Sequence, residues 1–167
     1  CGLYGQKTGL EAQVWCGDFV ELGFDVGIHT HVITSPPYIN AQDYFRNFKL
    51  ELHLLEGLLN FSVSTIKERF IGTERGDILQ GVPQSALEKN ARLVDGLNEL
   101  RRRFPRAAAV VDRYFCDMSR AIETIIRSLT VGGKFILVCG DNLVAGQRIP
   151  PWRLLNSMVE ERGLVLE

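Results

Sequence analysis

Ser35-Pro36-Pro37-Tyr38 places a hydroxyl, a run of carbonyls and an aromatic ring within four residues. Proline fixes its own φ and pushes the residue before it into extended geometry, so Ser35 and Pro36 are both held extended. Neither proline has an N–H, so the turn offers acceptors without competing donors. Such a set suits a flat ring bearing an amine. The lone pair of an exocyclic nucleobase amine is delocalised into the ring, which makes it a poor nucleophile. Acceptors that hold both amino hydrogens out of the ring plane restore its sp3 character, and Ser35 Oγ with the Pro36 carbonyl can do this. Tyr38 would stack on the ring, a contact worth roughly 1–3 kcal/mol whatever the base. A base in a duplex must first be flipped out of its stack.

A bare Ser-Pro-Pro-Tyr string is equally compatible with an exposed polyproline turn or a docking peptide. Its surroundings favour the ligand-binding reading. The β-branched, apolar run from Thr30 to Thr34 predicts a strand leading into the turn. Apolar residues at 44, 45, 48, 52, 55 and 59 predict a helix over 41–59, broken only by Gly57. The turn would then sit at the C-terminal end of a strand, where open α/β sheets bind ligands.

The rest of the chain alternates in the same way. Ala12 to Cys16 reads as a strand ending in Gly17-Asp18, and Ser85 to Arg103 reads as a helix. A longer helix runs from Ala107 to Leu129, with its core face at 111, 114, 115, 118, 122, 125, 126 and 129. Val131-Gly132-Gly133 reads as its terminator. Lys134 to Cys139 is almost wholly apolar, as expected of a strand covered on both faces. Pro150-Pro151 opens a helix to Glu161, Gly163 caps it, and Leu164 to Glu167 starts another strand. This β-α-β order predicts an α/β fold with a doubly wound, mostly parallel sheet and right-handed crossovers. The segment at about 61–106 reads as a less regular insertion in one domain spanning 1–167.

With 46% hydrophobic residues the chain can bury a sizeable core, and it contains no long apolar run to span a membrane. Cysteines 1, 16, 116 and 139 show no C-x-x-C pair and read as reduced thiols of a cytoplasmic protein, Cys16 and Cys139 on buried strands. Histidines 29, 31 and 53 form no ligand constellation, so no metal is expected. The net charge is −1, but Arg101, Arg102, Arg103 and Arg106 cluster, and Lys67, Arg69 and Arg75 surround Ile71-Gly72. Each cluster is either a solvated helix face or a set of phosphate contacts that would position a duplex without reading its sequence.

Taken in order, several segments resemble a known family. They are Thr34-Ser-Pro-Pro-Tyr38, Ile39-Asn-Ala-Gln-Asp-Tyr-Phe-Arg-Asn-Phe-Lys-Leu-Glu-Leu52, Phe70-Ile-Gly-Thr-Glu-Arg75, Arg113-Tyr-Phe-Cys-Asp-Met118 and Gly132-Gly-Lys-Phe-Ile-Leu-Val-Cys-Gly-Asp-Asn142. Together they look like bacterial and archaeal site-specific DNA amino-methyltransferases, across roughly Val14 to Leu166. Ser35 to Tyr38 match motif IV of that family, and the serine form after threonine looks most like the cytosine-N4 branch.

The resemblance implies a Rossmann-like class I methyltransferase domain, S-adenosyl-L-methionine as cofactor and DNA as partner, and it admits a restriction endonuclease as a second partner. Ser35, Pro36, Pro37 and Tyr38 would be catalytic. Asp18 would lie near the cofactor's adenine, although it equally suits the cap of a helix over Phe19 to Leu22. Asp43 or Arg46, one turn beyond the motif, would face the base pocket or the cofactor carboxylate, and Arg101, Arg102 and Arg103 would touch phosphates. Gly140-Asp141-Asn142 would be structural or line the substrate edge. Two other readings stay open. One is an RNA methyltransferase acting on a guanine amine; the other is a nucleic-acid-binding or assembly module that has kept the fold without catalysis.

The chain departs from the family in one respect. The glycine-rich Asp-Pro-Phe-x-Gly-Ser-Gly turn that holds the cofactor has no counterpart, and Gly2, Gly5 and Gly9 read as loop. The expectation is a catalytic half whose cofactor motif lies upstream or, in a permuted order, downstream. The 167-residue chain should therefore fold at least partly, yet show no measurable S-adenosylmethionine binding by titration calorimetry. Asp18 would supply a single charge-assisted hydrogen bond of about 1.5–3 kcal/mol, against the roughly 8 kcal/mol of a micromolar site. Micromolar binding would show that the glycines at 2, 5 and 9, or a site elsewhere, hold the cofactor.

Overall fold

A computed structural model of the chain describes residues 19, 29–39, 47–59, 62–66, 70–71 and 91–167. Within them the fold is α/β and contains a parallel strand pair. Strand β1 (His29–Thr34) lies beside β2 (Leu129–Leu137), with Val32 opposite Phe135, Ile33 opposite Ile136 and Thr34 opposite Leu137. The pairing extends one step further, where the Val138 N–H donates to the Thr34 carbonyl at 2.9 Å. The expected strand before Cys16 lies outside the described residues.

Helix α4 (Pro105–Ser128) carries the core. Its buried residues include Val111, Tyr114, Phe115, Met118, Ile122 and Ile125, the 3.6-residue stripe expected from the sequence. Tyr114 and Phe115 meet edge to face, centroids 5.3 Å apart. Pro105 begins the helix, where its missing N–H costs nothing. Phe104 alone separates it from α3 (Ala91–Arg103), which buries Leu97 and Leu100 against the same core. The same core takes in a hairpin of β3 (Asn142–Val144) and β4 (Gln147–Ile149), with β4 against α3, and α5 (Pro151–Glu160) with Leu154, Leu155 and Met158. Past α5, Gly163 takes φ +90°, and the Leu164 N–H reaches back to the Val159 carbonyl at 3.3 Å. That is the left-handed closure expected of this glycine.

Four expectations need correction. Val131-Gly132-Gly133 does not end α4. The helix stops at Ser128, and Leu129 is already extended (φ −83°, ψ 140°), so helix passes directly into strand. The two glycines form an irregularity inside β2, where the register jumps from His29 opposite Leu129 to His31 opposite Lys134. Gly132 needs its φ of +75°, and a Cβ on Gly133 would come within 2.9 Å of the Thr130 carbonyl.

Second, among the described residues the β1–β2 pair is covered on one face only. Phe135 and Leu137 pack on the core, but Ile33 (70% exposed), Ile136 and Val138 face outward. Cys139 follows β2 rather than lying in it and is only half-buried, while Cys16 is outside the described residues. Third, Leu164 to Glu167 has no strand partner among the described residues; Glu167 instead pairs with Lys134 at 3.0 Å. Fourth, of the stripe positions whose side chains are described, Phe48 and Leu55 are exposed and Leu52 is half-buried, so this part of it on and before helix α1 (Lys49–Leu59) is not a buried face. The short helix α2 (Val63–Ile66) follows it, with the Val63 N–H held by Glu56 Oε1 at 2.8 Å.

Candidate active site

Two turns meet where β1 and β2 end. The first is Ser35 to Tyr38. It is fixed in front by the strand pairing and behind by Ile39, which is fully buried in the main core. Pro36 is buried as well, Ser35 is exposed, and the Tyr38 ring is 43% exposed. The four motif residues thus form one rigid presentation between two anchors.

The second turn is Cys139 to Asn142. Gly140 lies against Tyr38: a Cβ at this position would sit 3.6 Å from Tyr38 Cε1 and 3.8 Å from its hydroxyl. Asn142 is buried (4% exposed), and its Nδ2 donates to the Gly140 carbonyl at 3.2 Å. On the outer side Asp141 accepts from the Trp152 indole N–H at 3.1 Å and pairs with Arg148. The segment Gly140-Asp141-Asn142 is therefore fastened from inside and outside, and it sets the wall against which Tyr38 rests.

Beneath the turns, the buried Tyr114 hydroxyl and Asn142 Oδ1 have no hydrogen-bond partner among the described residues. Burial, and then the nearby Cys139, push the Tyr114 phenol well above the ordinary tyrosine range. Burial, followed by the Asp141 carboxylate, pushes the Cys139 thiol up. A thiol so held stays protonated at neutral pH and is a poor nucleophile. What the turns offer a ligand here is the Ser35 and Tyr38 hydroxyls and the Tyr38 ring, a set suited to positioning a ligand.

Of the other residues singled out from sequence, Asp18, Asp43 and Arg46 lie outside the described residues, as do Lys67, Arg69 and Arg75. Arg101, Arg102 and Arg103 form the last turn of α3, and each has a carboxylate partner. Arg101 grips Asp112 of α4 through Nε at 3.3 Å and Nη2 at 2.8 Å, while Arg102 and Arg103 share Glu99. No group of three or more His, Cys, Asp or Glu side chains among the described residues could hold a metal ion. No helix among them is long and apolar enough to cross a membrane. Tyr114 and Trp152 carried no sequence signal of a place near the motif, because only the fold brings them there.

The chain is similar to the type II methyltransferases M.AvaI of Nostoc sp. (strain PCC 7120) and of Anabaena variabilis. Each is 27% identical over 161 residues, which cover 86% of this chain and 32% of the relative. The chain thus spans about a third of the length of the curated relatives it matches. No family model matches it, and no solved structure does.

The unpartnered Tyr114 hydroxyl yields an expectation about stability. A buried polar group without a hydrogen bond costs about 1–3 kcal/mol, so Tyr114→Phe should leave stability in urea unchanged or raise it by up to that amount. A clear loss of stability would mean that the hydroxyl has a partner in solution.

Proposed function

We propose that this chain is the catalytic part of an S-adenosylmethionine-dependent methyltransferase acting on the exocyclic amine of a flipped DNA base, cytosine N4. In this reading the α/β core belongs to a doubly wound, Rossmann-like methyltransferase domain. The observation that carries the proposal is the Ser35–Tyr38 turn, anchored by β1 and Ile39 at the C-terminal end of a parallel strand pair. The similarity to two type II methyltransferases supports it.

The turn after β1 is Ser-Pro-Pro-Tyr rather than glycine-rich, and Asp141 at the sheet edge is already bound to Arg148 and Trp152. What these residues do is hold the acceptor. Tyr38 stacks on the flipped base, while Ser35 Oγ and the Pro36 carbonyl take the two amine hydrogens. That draws the nitrogen lone pair out of conjugation and aims it for in-line attack. Most of the rate then comes from positioning. No strong base is required, because the methylated amine can release its proton to water.

Arg102 and Arg103 are the phosphate contacts in this scheme. Pairs as exposed as theirs with Glu99 are well screened by solvent and hold weakly, so a phosphate competes easily. Arg101, held by two nitrogens to the half-buried Asp112, is instead a clamp between α3 and α4.

The test is made on the complete polypeptide with duplex DNA. Ser35→Ala should lower turnover by about 10²-fold or more, the loss typical of removing one positioned polar group, with DNA affinity nearly constant. Tyr38→Ala should weaken capture of the flipped base, and Tyr38→Phe should be mild, because the ring face does the stacking. Equal losses of affinity and turnover in Ser35→Ala would count against the amine role. If Phe at position 38 were as damaging as Ala, the tyrosine hydroxyl would be the active part.

A further inference from the structure

We infer that Asn142 is a positioning residue for base capture: through the Gly140 carbonyl it fixes the wall that holds the Tyr38 ring ready for a flipped base to stack on. The inference rests on the reading of the Ser35–Tyr38 turn as a DNA-base site, and adds to it a buried residue behind that site.

The two prolines stiffen the backbone of the turn, but they leave the Tyr38 side chain its own torsions. With 43% of the residue exposed, the ring depends on its few neighbours for a fixed orientation. Gly140 supplies one, along the ring edge that carries Cε1 and the hydroxyl. A Cβ at Gly140 would meet Tyr38 alone among the described residues beyond its chain neighbours, at 3.6 and 3.8 Å from those two atoms. The direction of the Gly140 peptide therefore sets how closely the wall follows the ring.

That direction is held by hydrogen bonds to the Gly140 carbonyl. Asn142 Nδ2 reaches it at 3.2 Å and the Cys139 thiol at 3.7 Å. A thiol is a weak donor, so the amide sets the carbonyl's direction. Asn142 begins β3, is 4% exposed and lies opposite the buried Ile149 in the hairpin. Its side chain thus ties Gly140 to the core. Its Oδ1, in contrast, has no hydrogen-bond partner among the described residues, a state that costs stability. An apolar side chain would avoid that cost but could not hold the carbonyl.

A ring already held loses less freedom when a base stacks on it. Freezing one side chain on binding weakens association roughly 2- to 10-fold, which is the loss expected when the wall is loosened.

The test is a double-mutant cycle on the complete polypeptide, read as kcat/KM for methyl transfer from S-adenosylmethionine to duplex DNA. Asn142→Leu should lower kcat/KM roughly 2- to 10-fold where Tyr38 is present, and have no further effect in the Tyr38→Ala protein. The second background stays measurable, because loss of one stacking contact lowers kcat/KM only about 5- to 150-fold. Equal losses in both backgrounds would overturn the inference, since Asn142 would then act on folding or on another group. No loss in either would overturn it as well. In both cases the Ser35–Tyr38 reading stands as long as Tyr38→Ala is itself impaired. A Tyr38→Ala protein as active as the wild type would overturn the stacking role of Tyr38 and this inference with it. Should Asn142→Leu fail to fold, Gly140→Val, which crowds the same edge of the ring, takes its place in the cycle, with a loss expected only where Tyr38 is present.

Discussion

The structure turns on the parallel pairing of β1 with β2 and on the burial of Ile39 just beyond it. Parallel strands end on the same edge of a sheet, so the turn after β1 and the turn after β2 must meet there. Ile39 then fixes the far end of the first turn by entering the core formed by α4, α5 and the hairpin. With both ends tied, two prolines leave the turn little freedom. Loss of either anchor would leave the same four residues as a loose polar loop.

The second turn is secured by different means. Asn142 lies inside and holds the Gly140 carbonyl, while Arg148 and Trp152 hold Asp141 from outside. The hairpin of β3 and β4 brings Arg148 back beside Asp141, and α5 supplies Trp152. Elements that look peripheral in sequence thus define one wall of the site. The arrangement presents acceptors, aromatic faces and a protonated thiol, consistent with holding a planar amine and with leaving covalent steps to other chemistry.

What could be read from the sequence follows from how local each signal is. The stripe of α4, the start of α5 at Pro151 and the motif strand depend on spacing within one segment, and they appear close to where spacing puts them. The hairpin was not legible because its two-residue turn is Ala145-Gly146, and alanine rarely takes the φ of +47° found here. Gly132-Gly133 misled because a glycine pair after a helix also reads as a terminator, whereas here it accommodates a register jump. Within the site, Ser35 to Tyr38 could be found from residue type and order alone. Tyr114 and Trp152 could not be placed beside it, since their positions depend on contacts between segments distant in sequence.

The central claim is that the Ser35–Tyr38 turn holds an exocyclic amine for methylation. It is tested most directly by the position of the transferred methyl group. Duplex DNA treated with the complete polypeptide and S-adenosylmethionine would be digested to nucleosides and examined by chromatography with mass spectrometry. The account predicts N4-methylcytosine. Methylation at carbon 5 of cytosine, with none on an amine, would contradict it, since that product requires a nucleophile the turn does not contain.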